Sequence, residues 1–193
     1  LAKTLLGMLT PIAKAWPSEH GPRANDLAIQ VLGGAGYARD YPVERYYRDN
    51  RLNPIHEGTN GVQGMDLLGR KVMRDMGAGL RLLLGEIGGS VAKHRGPAEL
   101  DELCDGLEAG IALVGEVSGV LGMAAAQGHV RLSLANATEY LHMVGHVVIG
   151  WMWLEQAAAA TGESAHHRGK VHAARFFARV ELPRIERQAA LLR

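Results

Sequence analysis

The chain has 193 residues, 47 % hydrophobic and 21 % charged, with a formal net charge of +1. That is enough apolar material for an ordinary core, which excludes a disordered chain, and the interspersed charges exclude a polybasic face for nucleic acid or anionic lipid. Aromatics are only 5 % against 25 glycines, a mix that suits closely packed helices better than a sheet.

The first helix is expected over residues 2–16, broken before Pro17. A second runs from Pro22 or Arg23 to Leu32 and stops at Gly33-Gly34. Pro42 stands where a first-turn proline belongs, so a short helix over 42–50 follows. The stretch Leu52 to Thr59 is irregular, because Pro54 pushes Asn53 out of the α region and Gly58 permits unusual backbone. Asn60 can cap a long helix on which Val62, Met65, Leu68, Val72, Met76, Leu80, Leu83, Ile87 and Val91 recur at three- and four-residue steps. Gly96-Pro97 ends it. Further helices are expected with Leu100 to Leu121 in register, over about 134–160, and over about 166–192 with a kink at Pro183. The fold class is all-α: a short helical module up to about residue 60, then four long bundle helices. The seam falls inside the helix that opens at Asn60, so the two parts are expected to be rigidly joined.

The single cysteine, Cys104, precludes an internal disulfide and is expected to be a buried thiol in a reduced, cytoplasmic protein. The apolar stretch 143–160 is interrupted by His146, Glu155 and Gln156 and falls short of the roughly twenty apolar residues of a membrane span. The chain opens at Leu1, mid-pattern and without Met or a secretory signal, as a piece of a longer protein would.

The chemistry-bearing residues concentrate in 28–63. Gly33, Gly34 and Gly36 end a helix and do not follow a strand, which rules out a Rossmann fingerprint, yet they can admit a phosphate or ring close to the backbone. Glu57 lies between His56 and Gly58 in a loop that its flanking helices must order. On these residues alone it is either a general base or a loop carboxylate capping the next helix. Glu139/His142 and Glu163/His166 have di-metal spacing, but Glu163 falls in a loop and partner glutamates are not evident, so no metal site is expected. The basic run His166 to Lys170, with Arg175 and Arg179, is either a solvated face or a contact for a CoA or partner.

Three blocks occur in order over residues 28–63: Gln30-Val-Leu-Gly-Gly-Ala-Gly-Tyr37, Tyr41-Pro-Val-Glu-Arg-Tyr-Tyr-Arg-Asp49 and Ile55-His-Glu-Gly-Thr59. This compound pattern resembles the C-terminal signature of acyl-CoA dehydrogenases. The continuation Gly61 to Lys71 resembles a subset with an extra C-terminal helical domain, similar to methylmercaptopropionyl-CoA dehydrogenases. The resemblance divides the chain into residues 1–75, part of the dehydrogenase C-terminal helical domain, and 76–193, the appended helical domain. It implies FAD-dependent α,β-dehydrogenation of an acyl-CoA, with Glu57 as catalytic base and Gly58 against the thioester. It also implies that Thr59 and Asn60 lie near the flavin, and that Gln30, Val31, Leu32, Gly33 and Gly34 touch FAD held by a neighbouring subunit. Gly61 departs from the pattern, which often has Gln there. The partners implied are an acyl-CoA, a second copy in a homodimer or homotetramer, and an electron-accepting flavoprotein. The resemblance also implies burial of Glu57 beside an acyl chain, and N-terminal helical and central β domains that this chain does not include. The competing reading is a helical assembly module of the same descent that catalyses nothing by itself.

Overall fold

Met8, Pro11, Ile12, Ala15, Ser18 and Pro22 recur at three- and four-residue steps, and only one continuous helix lines them up on a single face. In the computed structural model, which describes all of Leu1–Arg193, that face is buried along an unbroken α1 (Ala2–Leu32). The expected break before Pro17 is not there. Each of Pro11, Pro17 and Pro22 forfeits a main-chain hydrogen bond, at about 3 kcal/mol or more in an isolated helix. Burial of the stripe against the core outweighs that cost. The helix does end at Gly33, as expected, where φ is 59° and the N–H donates to Gln30 O.

A single helical turn, α2 (Gly34–Tyr37), leads to α3 (Val43–Asn50), which packs on α1 with Pro42 as its N-cap. After the irregular stretch, α4 (Asn60–Met65) continues as a wider π-helical segment over Asp66–Val72. The long helix expected from Asn60 to Val91 is therefore interrupted. Gly77, in the left-handed region at φ 77°, donates its N–H to Val72 O at 2.8 Å and closes the first segment in Schellman fashion. Asp75 Oδ2 then accepts from Gly79 N–H at the start of α5 (Ala78–His94).

The remainder is α6 (Ala98–Ala126), the short α7 (Val130–Leu134), α8 (Ala137–Ala159), α9 (Ala165–Phe176) and α10 (Arg184–Leu192). A π-helical turn over Phe177–Glu181 precedes Pro183, which caps α10, so the expected kink is a full interruption. No strand occurs, in agreement with the all-α expectation. One buried cluster runs from Met8 and Ile12 of α1 through Leu83, Ile87, Leu107, Val114, Val117, Tyr140 and Val147 to Ile185 of α10. The helices before and after Gly77 thus share a core. α6 is long and apolar enough by composition to cross a membrane, a property the sequence reading missed, but here it packs against α5, α8, α9 and α10.

Some polar groups in this core pair across helices: Tyr140 Oη and Ser118 Oγ lie 2.6 Å apart, and Ser90 and His94 of α5 both reach Glu155 of α8. Cys104 is buried as expected, and burial pushes its thiol pKa up. The closest approach is at Gly64. There α4 crosses the start of α8 so tightly that a Cβ would lie 2.6 Å from Ala137 O.

Candidate active site

The loop carrying Glu57 lies along the middle of α1. Lys14 Nζ donates to Asn53 O at 2.6 Å before the carboxylate, and Asn60 Nδ2 donates to Glu19 Oε2 at 3.0 Å after it. Asn50 Nδ2 reaches Asn25 Oδ1 at 2.7 Å. Between these tethers the chain takes an uncommon course, with Glu57 at φ 54° and Gly58 at φ 93°. A non-glycine residue held left-handed costs about 1–3 kcal/mol, and such strain clusters at functional sites. Its φ favours glycine at 58, and a Cβ there would also push aside the end of the Gln63 side chain, whose Nε2 would lie 2.8 Å away. That amide donates a long bond of 3.4 Å to Glu57 O.

The Glu57 side chain itself is 81 % exposed, with only His56 Nδ1 nearby, at 3.9 Å. The chain alone provides none of the apolar burial that the resemblance implies for this carboxylate, because its side chain points to the outside of the molecule. Gly58 is partly buried, and Thr59 is exposed as the N-cap of α4 without a side-chain cap bond. Asn60 does not cap the helix; it opens it, and its side chain is turned inward to Glu19.

Gln30 to Gly34 form the exposed end of α1, with Val31 86 % exposed and open space where a Cβ would stand on Gly33 or Gly34. At 1.5 Å rise per residue, Leu32 is about 20 Å along the helix from Glu19, which is tethered to the Glu57 loop. One copy of the chain therefore does not bring the two groups together. Exposed Val31, Leu32 and Tyr37 beside bare glycine backbone fit contact with a flat ring or a sugar-phosphate chain presented from outside. For FAD these residues form a wall and do not enclose a pocket.

A cluster of charged groups lies behind the loop, at Glu19, which the sequence reading did not single out. Its Oε1 holds Arg23 at 2.9 Å, while Oε2 receives Asn60 and approaches His142 Nε2 of α8 at 2.9 Å. The His142 contact is an ion pair off the N–H axis, since Nε2 makes no aligned hydrogen bond. The contact with His142 holds the Glu19 carboxyl below the usual range despite partial burial, and the same contact raises His142. Glu139, three residues before His142, stands 3.9 Å from its Nδ1 and adds to the effect. The pair lines a cleft of ≈ 550 Å³ between α1, α8 and α10, with Trp16, His146 and Gln188 in its walls. His146 donates Nδ1–H to His142 O at 2.7 Å, and burial lowers its pKa.

These shifts fix how the pair depends on pH. His142 contributes fully below its ordinary 6.5 and loses its contribution as pH rises through its raised value. Glu19 contributes above its ordinary 4.5 and loses its contribution as pH falls through its lowered value. His146 opposes them, since keeping it neutral costs more as pH falls below 6.5. Glu19→Gln should therefore lower the Tm more at about pH 6 than at about pH 8.5, where neutral His142 no longer attracts the carboxylate. An equal loss at both values would mean that the ion pair carries none of the difference.

Comparison with known proteins bears on the family and the fold. Residues 2–72 match the family described as acyl-CoA dehydrogenase, C-terminal domain, and residues 83–193 match that described as acetyl-CoA dehydrogenase C-terminal like. The broad-specificity linear acyl-CoA dehydrogenase FadE5 of Mycobacterium tuberculosis is 33 % identical over 95 % of this chain and 32 % of its own length. The 3-methylmercaptopropionyl-CoA dehydrogenase of Ruegeria pomeroyi is 31 % identical over 85 % of this chain and 28 % of its own. The crystal structure of an acyl-CoA dehydrogenase complexed with FAD from Bacillus anthracis superposes with a TM-score of 0.79 at 20 % identity, over 96 % of this chain and 32 % of that one, and shares its fold. The chain spans about a third of the length of these relatives. With both halves matched and the helical architecture shared, the chain belongs to the acyl-CoA dehydrogenase family, of which it is the C-terminal helical part.

Proposed function

We propose that the chain supplies the C-terminal wall of an FAD-dependent acyl-CoA dehydrogenase site, with Glu57 as the general base. The observation that carries this reading is a carboxylate presented to the outside on a strained left-handed turn, tethered to α1 before and after it. A segment held at a cost and aimed away from its own core is suited to a site completed by another part of the enzyme.

In this reading Glu57 takes the α-proton of the acyl-CoA thioester, and the C–H electron pair moves into the new α,β bond. The α-hydrogen is a very weak acid, so the Glu57 backbone N–H donates to the thioester oxygen where negative charge develops. Gly58 leaves room for the thioester. FAD, when bound, supplies the acceptor for the β-hydrogen, which departs as hydride. Gln30, Val31, Leu32, Gly33 and Gly34 contact FAD across a subunit boundary, while Thr59 and Asn60 flank it from the Glu57 side. The separation of these two groups supports a homodimer or homotetramer, and in this reading an electron-accepting flavoprotein re-oxidises the cofactor. Covering the loop with an acyl chain would desolvate the Glu57 carboxylate and strengthen it as a base.

Anaerobic mixing of the complete, FAD-loaded enzyme with an acyl-CoA is the test. Bleaching of the flavin band with appearance of the enoyl-CoA is expected. A flavin that stays oxidised with every chain length tried, or a colourless assembly that takes up no FAD, would favour the second reading, a non-catalytic helical assembly module. The exposure of the Glu57 side chain is the observation that favours this second reading.

A further inference from the structure

Asn60 follows Glu57 by three residues and is the first residue of α4, where the loop ends. Its amide makes one directed bond, Nδ2–H to Glu19 Oε2 at 3.0 Å, and its Oδ1 is buried without a partner. The direction of that side chain is therefore set by where the Glu19 carboxylate sits. Glu19 in turn is fixed from two sides. Arg23 holds Oε1 at 2.9 Å from one turn further along α1, and His142 approaches Oε2 at 2.9 Å from α8. Only His142 comes from beyond the Gly77 break.

The backbone is also held as α4 begins, where Gln63 N–H donates to Thr59 O at 3.0 Å; of the side-chain tethers after Glu57, Asn60 makes the shorter bond. The Gln63 bond to Glu57 O is long at 3.4 Å, and the Glu57 side chain has no hydrogen bond. A left-handed residue relaxes toward ordinary backbone once its surroundings cease to hold it. Freeing the Asn60 end would let Glu57 swing, and a displacement of about 1 Å at a reacting group can cost about 10²-fold in rate.

We propose that His142 is a positioning residue for the Glu57 loop, acting through Glu19 on Asn60, so that the appended helices help to aim the base. The proposal rests on the reading of Glu57 as the base. It gives the helices after Gly77 a part in the reaction that bulk or assembly alone would not. His142 never touches substrate or cofactor; it holds a carboxylate that holds an amide that holds the turn. His20 and Arg23 on α1, Glu139 and His146 on α8, and Arg184 and Arg187 on α10 share the cleft, so the pair sits in a field of mixed sign rather than beside one dominant charge.

The test uses the complete FAD-loaded enzyme carrying His142→Ala, His142→Gln or Asn60→Ala. His142→Ala and Asn60→Ala are each expected to lower kcat about 10- to 100-fold with KM for the acyl-CoA little changed. The double variant should be no worse than either alone, because both cut the same chain of contacts. His142→Gln, which keeps a donor facing Glu19, should recover most of the rate. Hydrogen exchange of the amides of residues 56–60 should speed up in His142→Ala, while those of the core around Leu107 and Val114 stay protected. Unchanged kcat and unchanged loop exchange in His142→Ala would overturn the proposal, as would exchange rising equally across the core. If His142→Ala lowers kcat but Glu57→Gln does not, the assignment of the base fails first. If Glu57→Gln alone abolishes turnover, the base stands and the positioning role falls.

Discussion

Glu57→Gln in the complete, flavin-loaded dehydrogenase is expected to cut turnover by about 10²–10⁴-fold while FAD stays bound. The amide is isosteric and can keep the left-handed turn, so the backbone N–H that would face the thioester oxygen stays in place. What it lacks is a lone pair basic enough to take a proton from carbon. The same substitution should leave the Tm within experimental error, because the Glu57 side chain is 81 % exposed and has only His56 beside it, at 3.9 Å. A near-normal rate with normal Tm would reject the assignment of the base. Loss of both rate and FAD would point instead to a role in holding the cofactor.

Gly64→Ala carries the largest structural effect. Alanine in place of glycine inside a helix ordinarily gains about 1 kcal/mol. Here the added methyl would lie 2.6 Å from Ala137 O and 2.9 Å from Thr138 N, and these are backbone atoms that cannot rotate away. α4 would have to lift off the start of α8, with Leu67 and Leu68 losing their buried places directly behind it. Overpacking of this kind costs about 1–3 kcal/mol beyond the forfeited gain, which for a chain of this size means a fall of roughly 2–12 °C in Tm. Gly85→Ala is the matched control: it lies in α5 with nothing within 4 Å of its would-be Cβ, and it should raise the Tm slightly. A Gly64→Ala protein as stable as the parent would show that α4 and α8 have slack at this crossing.

The sequence carried the helical class, the stop at Gly33, the ordered loop and the compound pattern around Glu57 in residues close together along the chain. It misled where distant packing overruled a local rule. Pro17 and Pro22 obey the rule that proline ends helices when the helix stands alone, and the stripe from Met8 to Pro22 overrules it only because a core lies underneath. That single misreading had a cost at the site. Glu19 fell into the gap between two expected helices, where a carboxylate looks like loop decoration, whereas on a continuous α1 it sits one turn before Arg23 and opposite His142. His142 itself was weighed as a metal ligand with Glu139, since spacing along α8 is visible in a sequence and a partner 123 positions earlier (142 − 19) is not. The Gly77 break was legible in retrospect, because Asp75-Met-Gly-Ala-Gly79 contains a glycine stop and an acid one turn before the next helix. The regular recurrence of Met76 and Leu80 across it hid the signal.

The prolines of α1 also bear on the order in which the protein assembles as it is made. A helix missing three rungs of its ladder has little tendency to form in water, so as it leaves the ribosome the segment 2–32 stays open until something apolar covers it. Its covers are α5, where Met8 rests against Gly79, and α8, where Trp16 rests against Gly145, and α8 begins only at Ala137. Within this chain α1 is thus among the last segments to become helical. Since Lys14 and Glu19 tether the Glu57 loop, the Glu57 carboxylate takes its posture only once α8 has arrived.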